Sequence, residues 1–296
     1  LYGAETVQLK RGLLNKALRN VAIEEGIKIE LGKKLMAITQ TEQSATAIFD
    51  DATTATADFI IGCDGIHSAT RKAIFPNAPN IAYTGLLSTG GFTKLDNVAD
   101  LYGSIRMTFG EKSFFAYAVS NLGEIWWFNN ISHAKEPARN ELNTIDMSQL
   151  KNTLLELHKN DPKPIADIIK SADAIELYPI YDIPFLANWH KGRVCLIGDA
   201  AHATAPHIGQ GASLALEDTI VLAQCIRDLA TVETAFEKFQ SVRQARVQKI
   251  VREARKVGDS KTVPSKFQQF FRDLLLPFLV KYEAKKMDWV YSYKVN

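Results

Sequence analysis

Between Gly192 and Gly211 the chain reads Gly-Arg-Val-Cys-Leu-Ile-Gly-Asp-Ala-Ala-His-Ala-Thr-Ala-Pro-His-Ile-Gly-Gln-Gly. The pattern predicts a buried strand, an abrupt stop at Gly198-Asp199, a tight loop through Pro206, and a long helix from about Ala212. Asp199 is then an acceptor-only carboxylate at a strand end, facing a helix N-terminus whose positive end favours negative charge. Gly198 removes a Cβ where ligand and backbone must approach closely. Gly209, Gln210 and Gly211 turn backbone N–H groups toward the same space. Ligands of open α/β sheets sit outside the carboxyl ends of strands, so this is a site for a polar ligand.

A second constellation runs from Ala57 through Phe59-Ile60-Ile61-Gly62-Cys63-Asp64-Gly65 to Ser68-Ala69-Thr70-Arg71. Asp64 ends an apolar strand expected to be covered on both faces, Gly65 allows the turn, and Ser68 caps a short helix. Arg71 is placed to meet a phosphate or to pair with a carboxylate. Arg11 opens a helix, where a cation is unfavourable unless an anion lies nearby. His202 and His207 flank the Pro206 loop, but no His-Glu-x-x-His or zinc-type ligand set accompanies them, so no metal is expected. No Gly-x-Ser-x-Gly elbow or Walker loop supports a hydrolase or nucleotidase.

The elements that must position these residues follow from periodicity. Helical spacing covers about Lys10–Glu25, and strands are expected at Ile27–Leu31, Leu35–Thr39, Ala45–Phe49 and Ala55–Cys63. From about Pro76 to Tyr181 alternating, aromatic-rich stretches (Ala82–Phe92, Ser104–Phe109, Ser113–Val119, Glu124–Ile131) predict an antiparallel sheet. Helices follow at Met147–Lys159 and Lys163–Ala172, then at Ala212–Leu229 and Thr234–Val257, with a last one around Phe267–Lys285. The basic positions Lys238, Arg243, Arg246, Lys249, Arg252, Arg255 and Lys256 read as one solvated helix face. The expectation is an α/β fold (α+β overall): a partial Rossmann-like domain, an inserted antiparallel-sheet domain and C-terminal helices. Its boundaries are 1–75 and 183–258 for the discontinuous domain, 76–182 for the insert and 259–296 for the tail.

Composition narrows the function classes. The 296 residues are 46% hydrophobic and 23% charged with a net charge of +2, ordinary for a soluble domain and no argument for nucleic acid. No apolar run suffices for a membrane span, and no signal peptide is visible. Cys63, Cys195 and Cys225 form no Cys-x-x-Cys pair and read as small core residues in a reducing, cytoplasmic setting. Leu1 opens on what reads as the middle of a protein.

Taken in order, Arg11 with Leu14, Asp64-Gly65 with Ser68-x-x-Arg71, and Gly198-Asp199 with Pro206 and Gly209-Gln210-Gly211 resemble the motifs of the flavoprotein monooxygenases related to para-hydroxybenzoate hydroxylase. Tyr83-Thr84-Gly85, Trp189, Leu216-Glu217-Asp218, Arg243 and Arg246 extend the resemblance along the chain. The loop looks nearest to the salicylate-hydroxylase, urate-hydroxylase and zeaxanthin-epoxidase group. The resemblance implies FAD bound by Arg11, Asp64, Gly65, Arg71, Gly198, Asp199, Ala200, Pro206, Gly209 and Gly211, with NADPH or NADH as reductant. Pro206, Gly209, Gln210 and Gly211 would border the reacting edge of the flavin, whose C4a-hydroperoxide, formed with O₂, hydroxylates or epoxidises an apolar or aromatic small molecule. Met107, Phe115, Tyr117 and Trp127 are the candidate pocket residues, and a homodimer is allowed. The family's Gly-x-Gly-x-x-Gly fingerprint and first βαβ unit are absent from these residues. Two other readings stay open: a related flavoprotein that does no oxygenation, such as an isoprenoid reductase, and a non-catalytic fragment acting as an interaction module.

Overall fold

The computed structural model describes residues 9–96, 98, 103–138, 140–259, 261, 274, 275 and 287–295. The expected tail helix around 267–285 lies outside the described residues.

Helix α1 (Arg11–Glu24) ends where Gly26 takes a positive φ of 76°. None of its residues is buried, and Leu13, Leu18, Val21 and Ile23 are exposed. The strand expected at Ile27–Leu31 does not form. Those residues are exposed and pair with no strand among the described residues, and an isolated extended segment leaves its backbone groups to water. Next come β1 (Leu35–Gln40), β2 (Ala45–Phe49) and β3 (Thr54–Ala57), an antiparallel three-stranded meander.

The strand read as continuous over Ala55–Cys63 divides at Asp58-Phe59 into β3 and β4 (Ile60–Gly62), which join different sheets. β4 runs parallel to β11 (Val194–Leu196), with Ile60, Ile61 and Gly62 opposite Val194, Cys195 and Leu196. β10 (His190–Lys191) pairs on the far side of β11, so β4 is an edge strand among the described residues. This explains why Ile60 and Ile61 are only half-buried and Cys63 is exposed, against the expectation of a core strand and a core cysteine.

A five-stranded antiparallel sheet has the order β6 (Arg106–Phe109), β7 (Phe114–Val119), β8 (Glu124–Ser132), β5 (Ala82–Lys94) and β9 (Glu176–Asp182). Side chains alternate across it. One face, carrying Phe115, Tyr117, Ile125 and Trp127, packs on α3 (Met147–Leu157) and α4 (Ile165–Ser171) through Leu150, Leu154, Ile165, Ile168 and Ile169. The second core gathers β11, α5 (Asp199–His202), α6 (Gly211–Asp228) and α7 (Val232–Asp259) around Trp189, Leu214, Leu222, Phe236 and Phe239. A short α8 (Asp288–Tyr291) packs back onto this core through Trp289.

Candidate functional site

The parallel pairing of β4 and β11 places the Asp64-Gly65 turn and the Gly198-Asp199 turn at the carboxyl ends of neighbouring strands. The Ile197 N–H continues the ladder by donating to the Gly62 carbonyl at 3.0 Å. Gly62 is needed for this approach, because a Cβ there would lie 2.5 Å from Thr70 Cγ2 and 2.9 Å from Leu196 Cδ2.

Gly198 sits at φ 55°, ψ −140°, a backbone conformation that only glycine adopts without strain. Its N–H donates to Asp218 Oδ2 at 2.9 Å. The chain then turns into α5, leaving Asp199 exposed while Ala200 is fully buried. After Pro206–Ile208 forms a 3-10 turn, Gly209 takes φ 65° and α6 begins at Gly211. No side chain caps that 18-residue helix, so its first N–H groups stay open. A Cβ on Gly211 would come within 4.0 Å of Asp199 Oδ1, so carboxylate and helix start face one space. Gly198→Ala is expected to cost about 1–3 kcal/mol through backbone strain, with Ala215 Cβ 3.1 Å from the added methyl, read as a lower urea midpoint.

The Pro206 loop is fixed from both sides. Ala205 packs with Leu86 and Ile180 of the antiparallel sheet, and the Ile183 N–H donates to the Ala203 carbonyl at 3.0 Å. Asp182, buried at the end of β9, forms an ion pair with Arg255 of α7.

Several predicted site residues have partners within the chain. Asp64 Oδ1 accepts from the Ser68 hydroxyl at 2.5 Å, and Oδ2 accepts from the Thr70 N–H and hydroxyl at 2.9 and 3.0 Å. Burial pushes its carboxyl up, but these bonds outweigh it and hold the group below the usual range. Ser68 caps α2 (Ala69–Ile74) by accepting from the Arg71 N–H. Arg71, 3% exposed, forms no ion pair with a carboxylate among the described residues; its guanidinium donates to the carbonyls of Ala200 at 2.7 Å and Ile66 at 2.5 Å. It binds the two strand-end turns to each other. Arg11 is the first residue of α1. Its helix starts beside the antiparallel sheet, where Lys10 pairs with Glu124 at 2.8 Å and lies 4.4 Å from the Phe92 ring.

The pocket assignment also changes. Phe115, Tyr117 and Trp127 belong to the sheet face buried under α3 and α4, where Phe115 and Trp127 stack at 5.4 Å. They are core. Met107 sits opposite Ala116, and so shares the other face with Phe114, Trp126 and Phe128. Alternation made one face certain to be core, and only the position of α3 and α4 showed which.

Beneath the strand-end turns lies a charged network that the sequence reading missed. Asp218 is fully buried; besides Gly198 it accepts from Arg243 Nε at 2.8 Å and lies 2.6 Å from His202 Nε2. Burial alone would push its carboxyl up; the bonds from His202, Gly198 and Arg243 instead hold it low. Arg243, also fully buried, pairs with Glu217 at 2.6 Å, and Glu217 pairs with Arg246 at 2.9 Å. Arg246 lies 3.8 Å from the Tyr293 ring and donates to the Trp289 and Val290 carbonyls. The α7 face read as solvated therefore includes a buried arginine and one clamped by the C-terminal residues.

The family model described as FAD binding domain matches residues 5–254. The chain belongs to this FAD-binding family. It is 28% identical over 234 residues to the FAD-dependent urate hydroxylase of Klebsiella pneumoniae, covering 78% of this chain and 59% of that protein. It is 26% identical over 281 residues to the aurachin C monooxygenase/isomerase of Stigmatella aurantiaca, covering 93% and 69%. Among solved structures, Klebsiella pneumoniae HpxO complexed with FAD and uric acid superposes with a TM-score of 0.80 at 24% identity, covering 91% of this chain and 67% of that one. A salicylate hydroxylase substrate complex gives 0.74 at 22% identity. The chain thus spans about three fifths of the urate hydroxylase it matches, and these structures share its fold. Among the described residues no helix is long and apolar enough to cross a membrane.

Proposed function

We propose that the chain is the flavin-facing part of an FAD-dependent, NAD(P)H-using monooxygenase of the cytoplasm, acting with O₂ on an apolar or aromatic small molecule. One observation carries this reading: an exposed carboxylate, Asp199, at a parallel strand end, sharing one space with the uncapped N-terminus of α6, in a chain of the FAD-binding family. The residues fit the cofactor. Gly198 and Gly211 keep that space free of side chains, Asp199 accepts hydrogen bonds from hydroxyls, and the N–H groups after Gly209 and Gln210 favour a group that gains negative charge. When bound, FAD supplies hydride acceptance and oxygen activation. The protein supplies position and exclusion of water. The loop through Pro206 lies between the parallel strands and the antiparallel sheet, whose face away from α3 and α4 carries the accessible Met107, Trp126 and Phe128 as an apolar wall for substrate. Residues 1–75 with 183–258 serve as the FAD-binding domain, 76–182 as the substrate domain and 259–296 as its tail.

The test uses the full-length protein. It should purify with FAD, consume NAD(P)H and O₂ together with an aromatic substrate, and place ¹⁸O from O₂ in the product. Asp199→Ala is expected to weaken FAD binding by at least tenfold, on the order of one charge-assisted hydrogen bond, while leaving the melting curve of the flavin-free protein unchanged. A full-length protein that retains no flavin overturns the reading, and turnover without O₂ selects the non-oxygenating alternative.

A further inference from the structure

The segment 183–189, which leads from β9 into β10, is fastened at both ends. The Ile183 N–H donates to the Ala203 carbonyl at 3.0 Å, and the Trp189 N–H donates to Gln240 Oε1 of α7 at 2.8 Å. Between these points Gln244 Nε2 donates to the Leu186 and Ala187 carbonyls at 3.2 and 2.8 Å, and Gln240 Nε2 donates to the Ala187 carbonyl at 2.7 Å. So held, the segment encloses a cavity of about 390 Å³ with α5 and α7.

The lining divides by chemistry. Ile183, Leu186, Trp189, Val247 and Val251 supply apolar walls, and Ala201 and His202 close the cavity on the side of α5. His202 Nε2 is engaged with Asp218 at 2.6 Å, and the Trp189 ring lies against the His202 ring with centroids 4.9 Å apart. On the solvent side stand two exposed cations, Arg252 and Arg255, one turn apart on α7. Among the described residues that line the cavity there is no carboxylate. Arg255 is taken up by Asp182, whereas Arg252 makes no ion pair or hydrogen bond with any described residue.

Small-molecule sites are concave, mostly apolar and about 300–1,000 Å³ in volume, with few polar groups that fix orientation. This cavity has that size and that division. Its walls are aliphatic over most of their extent, which suits a flexible chain; a planar ring gains most from facing aromatic rings. The fork of Arg252 takes a carboxylate through two parallel hydrogen bonds. The cavity is also separate from the space proposed for flavin and substrate. Asp199, Pro206, Gly209 and Gly211 are not among its lining residues, and neither are Met107, Trp126 and Phe128 of the sheet. The two spaces share α5, which begins at Asp199 and ends at His202.

We propose that this cavity is a second small-molecule site, which binds an aliphatic monocarboxylic acid. The chain lies against Trp189, Val247 and Val251, and the carboxylate takes the Arg252 guanidinium as its charge-assisted donor. The assignment stands independently of the monooxygenase reading, because it uses none of the residues given to flavin or substrate.

Decanoate and its neutral analogue 1-decanol, titrated calorimetrically into the full-length protein, provide the test. Wild type is expected to bind decanoate on the order of tenfold more tightly than decanol, the worth of one charge-assisted pair. Arg252→Met should abolish that preference and Arg252→Lys should retain part of it. Val251→Trp, which fills the cavity, should weaken both probes. A decanoic acid carrying a diazirine on its chain, photolysed on wild type, should label residues 183–189 or 247–255, read by mass spectrometry; this needs no variant to fold. Absence of binding, equal affinity for the two probes, or a preference that survives Arg252→Met overturns the proposal. So does labelling confined to other segments, the sheet residues 107–128 included. Flavin absorbance of the same samples separates the two readings: a protein without flavin sinks the monooxygenase reading and leaves this one standing.

Discussion

Asp218→Ala is expected to destabilise the protein by about 3–5 kcal/mol, the range for removing one member of a buried ion pair. The loss has three sources: the Gly198 N–H loses its acceptor, His202 loses its ring partner, and the Arg243 guanidinium loses one of its two carboxylates, keeping Glu217 and the Tyr293 hydroxyl. Urea denaturation of the flavin-free protein measures it. Asp218→Asn retains an acceptor for Gly198 and should lose less. Replacing Asp218 and Arg243 together by leucine and methionine should cost far less than the two single changes summed. An additive double mutant would mean that the pair is not the unit described here. The pH dependence has a definite sign. A carboxyl held low in the fold contributes stability that is fully present above its unfolded pKa of about 3.9. That contribution is lost as pH falls through the lower folded value, so acid should unfold wild type by a route absent from Asp218→Asn.

Arg71→Leu is expected to cost about 3 kcal/mol in the absence of flavin, because two hydrogen bonds from a charged group are lost and the carbonyls of Ile66 and Ala200 are left unpaired. Lysine should not rescue it, since one ammonium cannot reproduce two divergent guanidinium donors. FAD affinity should fall as well, because the turns at Asp64-Gly65 and Gly198-Asp199 are no longer held together. The measurement separates two roles for this arginine. If it bound phosphate directly, Arg71→Leu would weaken FAD binding while leaving the urea midpoint of the flavin-free protein in place.

Much of the frame was readable in advance. The strand Val194–Leu196, the helices from Gly211 and Val232, and the antiparallel strands from Ala82 to Ser132 all follow from local periodicity, which is a property of neighbours in sequence. The buried pair Asp218–Arg243 was readable too, but only by asking a different question of the same pattern. Asp218 falls on the apolar stripe Leu214, Val221, Leu222, Cys225 of α6, and Arg243 on the stripe Phe236, Phe239, Val247, Ile250 of α7. Opposite charges on the buried faces of consecutive helices must pair, because neither can be buried alone. Reading the α7 cations as one solvated face hid this.

Other assignments depended on contacts that sequence spacing does not encode. Phe115, Tyr117 and Trp127 looked equivalent to Phe114 and Phe128, because alternation separates two faces without saying which one the helices cover. Ile27–Leu31 has strand composition but no neighbouring strand among the described residues. Asp64 and Arg71 carry the residue types of a ligand site; in the fold Asp64 also organises its own turn, and Arg71 reaches a carbonyl 129 residues away to join two turns. By itself the sequence determined the family, the order of its motifs, and the strand-end carboxylate facing glycines at a helix start, because each is a short-range pattern of residue type. The tertiary structure alone decided which charged groups stand exposed at the strand ends and which have partners inside the chain. That choice is set by burial and by partners distant in sequence, and the energy of leaving a buried charge unpaired enforces it.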